Sequence, residues 1–156
     1  MEKAQGMKRM SYLLLALVVL AGGLMAYVRF APNEPAAWHV DPTAVTARGA
    51  DNSFLAAPGG DVEPLHLALP PDQVAARLDT IAADWPRTRP IAGEGFHRTW
   101  ITRTKWWGFP DFTSVRLVAT EDGGTDVTLF ARSRFGKSDL GVNRARGQEW
   151  LARLRS

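Results

Sequence analysis

Between Arg132 and Arg146 the chain sets four arginines (Arg132, Arg134, Arg144 and Arg146) around one aspartate, Asp139, and one asparagine, Asn143. Guanidinium groups beside a helix N-terminus can bind a phosphate, carboxylate or sulfate group, because their planar donors meet the anion in pairs and the helix dipole favours negative charge. The same groups can instead tie one element of a fold to another, since charges in an interior need partners. In that clasp Arg132 and Arg134, on one face of a strand, pair with Asp111 or Asp139 across it. Ser138 or Asp139 caps a following helix. Gly136 suits a turn, Gly141 lets the helix start lie close to a strand, and Asn143 and Arg144 tie that helix back to the sheet. The clasp is the preferred assignment and the anion site the alternative.

A second candidate is Trp106-Trp107-Gly108-Phe109-Pro110. Neighbouring side chains in an extended segment point to opposite sides, so two adjacent tryptophans rarely reach one core. An exposed ring there would mark a protein, glycan or membrane-interface contact; a loop stapled by its aromatics is the plainer reading. Enzyme chemistry finds little material. His39, His66 and His97 are far apart in sequence and lack metal-ligand spacing, and Ser133 and Ser138 lack the context of a nucleophile elbow. The chain has no cysteine, which removes thiol nucleophiles, disulfides and thiolate metal sites together. Asp111 and Asp139 would act as general acid and base only if they met in a pocket. No catalytic residue, metal or cofactor is assigned.

The Arg132–Arg146 run closely resembles the C-terminal signature of the bacterial and plastid family catalogued as domain of unknown function 1499, written Arg-Ser-x-Ser/Arg-x-Gly-x-Ser-Asp-x-Gly-x-Asn-Arg-x-Arg. Arg132, Ser133, Arg134, Gly136, Ser138, Asp139, Gly141, Asn143, Arg144 and Arg146 meet that pattern. Upstream, Gly108-Phe109-Pro110-Asp111 matches the family's Gly-Phe-x-Asp-Asp run, with Phe112 in place of the second aspartate, and Asn52-Ser53-Phe54 is a remnant of an early Asn-Cys-Val-Ser motif. The resemblance runs from about Asp51 to Leu154. It implies a domain type and brings no established activity.

What positions these residues begins at the N-terminus. No residue from Ser11 to Val28 is charged. Eighteen helical residues span about 27 Å, close to the roughly 30 Å hydrocarbon core of a bilayer. Lys3, Lys8 and Arg9 precede the run and Arg29 follows it, which places the N-terminus in the cytoplasm. Tyr12, Tyr27 and Phe30 sit where interfacial aromatics are expected. A cleaved secretory leader is the competing reading, with Ala36-Ala37 as a cleavage site, but its apolar core would be long for one. Either way the domain is exported.

The basic balance does not point to nucleic acid. Four of the 19 Lys+Arg and one of the 16 Asp+Glu lie in the anchor region, leaving 15 against 15 in the exported part. The charge is segregated, however: residues 31–86 carry a net −6 and residues 87–156 a net +6. Halves that pack together and cancel are the plain reading; a basic face for an anionic ligand or lipid headgroups is the sharper one.

The remaining pattern predicts the fold. Pro32, Pro35 and Pro42 make residues 31–50 an extended linker, although Trp38 is unexpected in a free tether. Glu63–Leu69 alternates as a half-buried strand, and Pro70-Pro71-Asp72 opens a helix with Val74, Leu78, Ile81 and Ala82 inward, closed at Trp85-Pro86. Strands follow at Phe96–Lys105, Thr113–Thr120 and Thr125–Arg134, the last two a hairpin across Glu121-Asp122-Gly123-Gly124. The face bearing Thr128, Phe130, Arg132 and Arg134 is neither wet nor dry, so something covers part of it. A final helix runs Leu140–Arg155. The predicted class is α+β: an antiparallel sheet of about four strands with two helices in the order β-α-β-β-β-α, after one transmembrane helix. In boundaries, 1–10 is cytoplasmic, 11–30 the transmembrane helix, 31–50 the linker and 51–156 the exported domain.

The functional expectation is a single-pass protein of the inner (plasma) membrane whose domain, periplasmic or otherwise extracytoplasmic, is a non-catalytic binding or interaction module for the cell envelope. Its partners are the membrane, through the anchor, and an envelope protein or anionic ligand; nucleic acid is not one. The candidate binding residues are Asp111, Arg132, Arg134, Ser138, Asp139, Asn143, Arg144, Trp106 and Trp107. The alternative is an enzyme of unknown reaction, or an anion- or headgroup-binding domain, centred on the Arg132–Arg146 motif.

Overall fold

The computed structural model describes residues 2–45 and 51–156; the end of the expected linker lies outside them. Four helices are α1 (Glu2–Phe30), α2 (Pro35–Trp38), α3 (Pro71–Asp84) and α4 (Val142–Arg155). Six strands are β1 (Ser53–Ala56), β2 (Leu65–Leu67), β3 (Thr88–Glu94), β4 (His97–Arg103), β5 (Pro110–Ala119) and β6 (Thr125–Ser133). The class is α+β, with six strands where about four were expected. All pair antiparallel in the order β1-β6-β5-β4-β3, and β2 pairs with β6 beyond the end of β1.

Both unforeseen strands break the usual strand pattern for a reason the sheet supplies. β3 contains Pro90 and Gly93, yet it is an edge strand and its register shifts between Pro90 and Ala92; an edge tolerates proline, and a bulge absorbs the lost ladder bond. β1 has only four residues amid turn signals and exists because β6 offers it a free edge, pairing Ser53 with Arg132 and Ala56 with Leu129.

Alternation divides the sheet into two faces. One face carries Phe54, Trp100, Val115, Leu117, Val127, Leu129 and Ala131 and buries them against Val74, Leu78 and Ile81 of α3 and Trp150, Leu151 and Leu154 of α4. Gly147 of α4 lets that helix come close: a Cβ there would stand 2.8 Å from Phe54 Cε1 and 3.2 Å from Leu129 Cδ2. The close approach expected of Gly141 therefore belongs to Gly147. Gly141 has open space around it and serves instead through its left-handed backbone, φ 81°.

The other face is covered by the segment expected to be a free linker. The Trp38 indole lies flat on Phe112, with ring centroids 4.0 Å apart and planes at 10°. His39 stacks on His97 at 3.8 Å and hydrogen-bonds Thr99 Oγ1 through Nδ1 at 2.9 Å. Val40 and Val45 close over Leu55, Ala57 and Phe130, and Asp41 caps the 3₁₀ turn Pro42–Ala44 by accepting from Thr43 N–H at 2.9 Å. Apolar and aromatic surface outweighs the prolines here, which shape the strap without freeing it.

Ahead of the strap, Gln5–Phe30 of α1 is by length and composition sufficient to cross a membrane, and its side chains from Gln5 onward are almost all exposed. Its last turn meets the domain. Val28 is 2 % exposed, Tyr27 packs edge-on to Phe135, Arg29 Nη1 donates to the Trp106 carbonyl at 3.3 Å, and Arg103 Nη1 lies 3.4 Å from the Val28 carbonyl.

Candidate functional site

The C-terminal motif builds a buried polar network at one end of the sheet. Asp111, the second residue of β5, lies opposite Ser133 at the end of β6, and both point to the α4 side. Arg146 and Asn143, one turn apart on α4, reach the same spot. Ser133 Oγ donates to Asp111 Oδ1 at 2.6 Å, and Arg146 Nη1 donates to Asp111 Oδ2 at 3.2 Å. Arg146 Nη2 also donates to Asn143 Oδ1. Asn143 Nδ2 lies within hydrogen-bond distance of Ser133 Oγ (2.9 Å), the Asn52 carbonyl (3.1 Å) and Asp139 Oδ2 (2.6 Å). Asp111 and Arg146 are each 4 % exposed. Burial pulls the Arg146 guanidinium below the ordinary arginine range while the charges of Asp111 and then Asp139 oppose it.

Asp139 caps α4. Its Oδ1 accepts from Gly141 N–H at 2.9 Å and its Oδ2 from Asn143 N–H at 2.7 Å, which occupies two of the donors that a helix start leaves unpaired. Ser138 Oγ accepts from Leu140 N–H at 3.3 Å. Arg144 faces outward from the network, pairs with Asp61 Oδ1 at 2.5 Å and lies over the Phe54 ring.

Arg132 and Arg134 do not join Asp111 or Asp139. Strand alternation sends them to the opposite face, so the pairing expected across the last strand is replaced by Arg146 reaching in from α4. Arg132 sits between the Trp38 and Phe130 rings, 5.1 and 4.7 Å from their centroids, and Nη2 donates to the Trp38 carbonyl at 3.3 Å. Arg134 Nη1 donates to the Pro32 carbonyl at 2.8 Å and to Asn33 Oδ1 at 2.7 Å. The motif therefore works on both sides of the sheet: Asp139, Asn143 and Arg146 lock the helix, while Arg132 and Arg134 lock the strap.

Trp106 and Trp107 project from the β4–β5 loop, 73 % and 44 % exposed, with Lys105 Nζ 5.0 Å above the Trp106 ring. That loop, the β6–α4 loop and the end of α1 lie at the same end of the molecule. Three members of the network, Ser133, Arg146 and Asn52, stood outside the candidate binding set; Ser133 was weighed only as a nucleophile and set aside. Arg146 was visible only as a motif arginine, since nothing local ranks it above Arg144. Asn52 accepts from Asn143 and donates to the Gly136 carbonyl at 2.7 Å; its signal was the remnant motif of residues 52–54.

Two shallow clefts flank the network. One of about 310 Å³ is lined by Thr104, Phe109, Asp111, Ser133, Phe135 and Asp139, and one of about 450 Å³ by Arg87, Arg103, Asp111, Arg146 and Glu149 among others. Asp111 borders both, yet each of its oxygens already accepts a hydrogen bond from within the fold. Among the described residues no group of three histidine, aspartate or glutamate side chains is placed to hold a metal ion.

These features define the class: an α+β domain with two helices on one sheet face, an N-terminal strap on the other, and an apolar helix of membrane-spanning length leading into it. The chain belongs to the family described as protein of unknown function (DUF1499), whose model matches residues 34–154 and so takes in the strap as well as the sheet. No curated protein matches it.

Proposed function

We propose that this protein is a non-catalytic binding module of the cell envelope, held by α1 as a retained single-pass anchor with its N-terminus in the cytoplasm and its domain outside. The observation that carries this reading is the fastening of the last turn of α1 to the domain. Val28 is buried, and Arg29, Arg103 and Arg134 bond backbone or side-chain oxygens on both sides of the junction. A leader destined for removal gains nothing from being built into the packing of the mature fold. Cleavage beside Ala36-Ala37 would cut helix α2 and strip away the residues that Arg134 holds. Lys8 and Arg9 ahead of the uncharged run support the orientation.

The motif residues support binding over catalysis. Asp111, the best placed carboxylate, is committed to Ser133 and Arg146, and Asp139 to the start of α4. An enzyme centred on Asp111, Arg132, Arg134 and Asp139 has less support, because the two arginines lie across the sheet from the two acids. A partner would meet the exposed Trp106 and Trp107 or the basic end around them.

The test is fractionation of cells expressing the full chain, with the mass of the mature polypeptide read directly. The expected outcome is a full-length chain that resists alkaline extraction from the membrane and whose domain is digested by protease added to spheroplasts. Recovery of a soluble product lacking its first thirty residues would overturn the reading.

A further inference from the structure

At the junction of α1 with the sheet, on the strap side, lies a cavity of about 320 Å³ lined by Arg29, Arg87, Thr88, Arg89, Ile101, Arg103 and Thr104. Four of these seven residues are arginines and none is an acid. None of the four arginines forms an ion pair among the described residues; the arginines that do are Arg98, Arg116, Arg144, Arg146 and Arg153. Convergent unpaired cations repel one another, and a fold that gathers them without an acid leaves room for an anion from outside. Arg103 registers this surplus: burial first, then the charges of Arg89, Arg29 and Arg134, lowers its pKa.

Three of the four arginines, Arg29, Arg87 and Arg103, are tied to backbone carbonyls. Arg103 Nη1 donates to the Gly108 carbonyl at 2.7 Å, and Arg87 Nε to the Arg103 carbonyl at 3.0 Å. Arg87 adopts a left-handed backbone, φ 59°, a conformation that costs energy in a residue with a side chain and is retained where its surroundings require it. The height of the cavity is set by the chain itself. Arg29 is the first charged residue after the uncharged run from Ser11 to Val28, so it marks the depth at which hydrocarbon gives way to headgroups. Phe30 (81 % exposed) and Trp106 stand beside it as aromatics suited to that layer.

We propose that this cavity binds the phosphate group of an anionic phospholipid in the leaflet on the domain side, seated among Arg29, Arg87, Arg89 and Arg103. The bound headgroup offsets part of the cluster's positive charge and fixes the domain against the bilayer surface. The proposal rests on the retained-anchor reading, because α1 supplies Arg29 and sets the height. Phosphate is the shared chemistry of lipid headgroups and free phosphate, and the neighbouring span selects the lipid.

The experiment uses the full chain purified in a neutral detergent. Native mass spectrometry would compare retention of phosphatidylglycerol with that of phosphatidylcholine, for the wild type and for R87Q/R89Q. The wild type is expected to hold one phosphatidylglycerol in preference to phosphatidylcholine. At about fivefold per basic residue lost, the double variant should retain it roughly 25-fold less well. R89Q, at an exposed edge-strand position, should show the single fivefold loss with an unchanged melting temperature, which separates lost binding from lost folding. Equal retention of the two lipids, or undiminished retention by R89Q and by R87Q/R89Q, overturns the proposal. Stabilisation of the chain by inorganic phosphate without preference for phosphatidylglycerol overturns its lipid part. If fractionation finds the chain in the membrane while the lipids are not distinguished, only this proposal fails; a product cut before Arg29 removes the anchor reading first.

Discussion

Trp38 and Phe112 form a parallel stack across the boundary between the strap and the sheet, and the Trp38 carbonyl accepts from both Ser114 Oγ at 3.2 Å and Arg132 Nη2 at 3.3 Å. With His39, Val40 and Val45, this residue packs the segment after α1 onto the sheet, where a free tether would have no such contacts.

Trp38→Ala should therefore destabilise the domain by about 2 kcal/mol or more, from lost aromatic area and stacking. Urea denaturation followed by far-UV circular dichroism measures it. A change below about 0.5 kcal/mol, the usual size of a surface effect, would show that the Trp38–Phe112 stack contributes little to stability.

The buried pair predicts strong non-additivity. Asp111→Ala or Arg146→Ala leaves an uncompensated buried charge and should each cost about 3–5 kcal/mol. The double variant should cost clearly less than the sum, with a coupling of roughly 1 kcal/mol or more in a double-mutant cycle. Additive losses would mean that the two side chains act separately.

Gly147→Ala should destabilise by about 1–3 kcal/mol, because the new methyl group meets the Phe54 ring inside a filled core. Phe54→Leu in the Gly147→Ala background should recover part of that loss. Thermal melts of the single and double variants decide it; an equal or more stable Gly147→Ala protein would place α4 farther from β1.

Two histidines should give the domain opposing pH responses. His39 is held below its ordinary 6.5 by burial first and the charge of His97 second, against a smaller pull from Asp41. It stabilises the fold above pH 6.5, and that stability is lost as pH falls from 6.5 through its lowered value. His66 is raised, first by its hydrogen bond to Asp126, with Asp122 also contributing. Its contribution is complete below pH 6.5 and is lost as pH rises through its raised value. Melting temperatures across pH 5 to 8.5 should show that His39→Gln removes a decline on acidification. His66→Gln should remove one on alkalinisation. Parallel curves for wild type and variants would contradict both assignments.

The elements that proved legible in the sequence were those whose information is local. Pro71, Asp72 and the Val74-Leu78-Ile81 stripe were enough to mark α3, and the alternation around Glu121-Asp122-Gly123-Gly124 marked the β5–β6 hairpin. Asp139 could be read as a cap because a cap lies within one turn of what it caps. β1 and β3 were not legible: four residues among turns, and a strand holding Pro90 and Gly93, are strands only because an edge of the sheet is available to them.

The sequence by itself determined the apolar run of membrane-spanning length, the α+β class, the two faces of the hairpin and the motif that marks the family. Tertiary structure alone decided which charges meet. Arg132, Arg134, Arg144 and Arg146 are of one chemical type within fifteen residues, and only the geometry of strand and helix sends the first two to the strap, the third to Asp61 and the fourth to Asp111. It alone also decided that Trp38 lies on Phe112, and that Arg29, Arg87, Arg89 and Arg103, spread over 75 residues of chain, converge on one cavity. Partners that far apart in sequence leave no periodic trace, because closing a long loop depends on the whole fold and on no residue along the way.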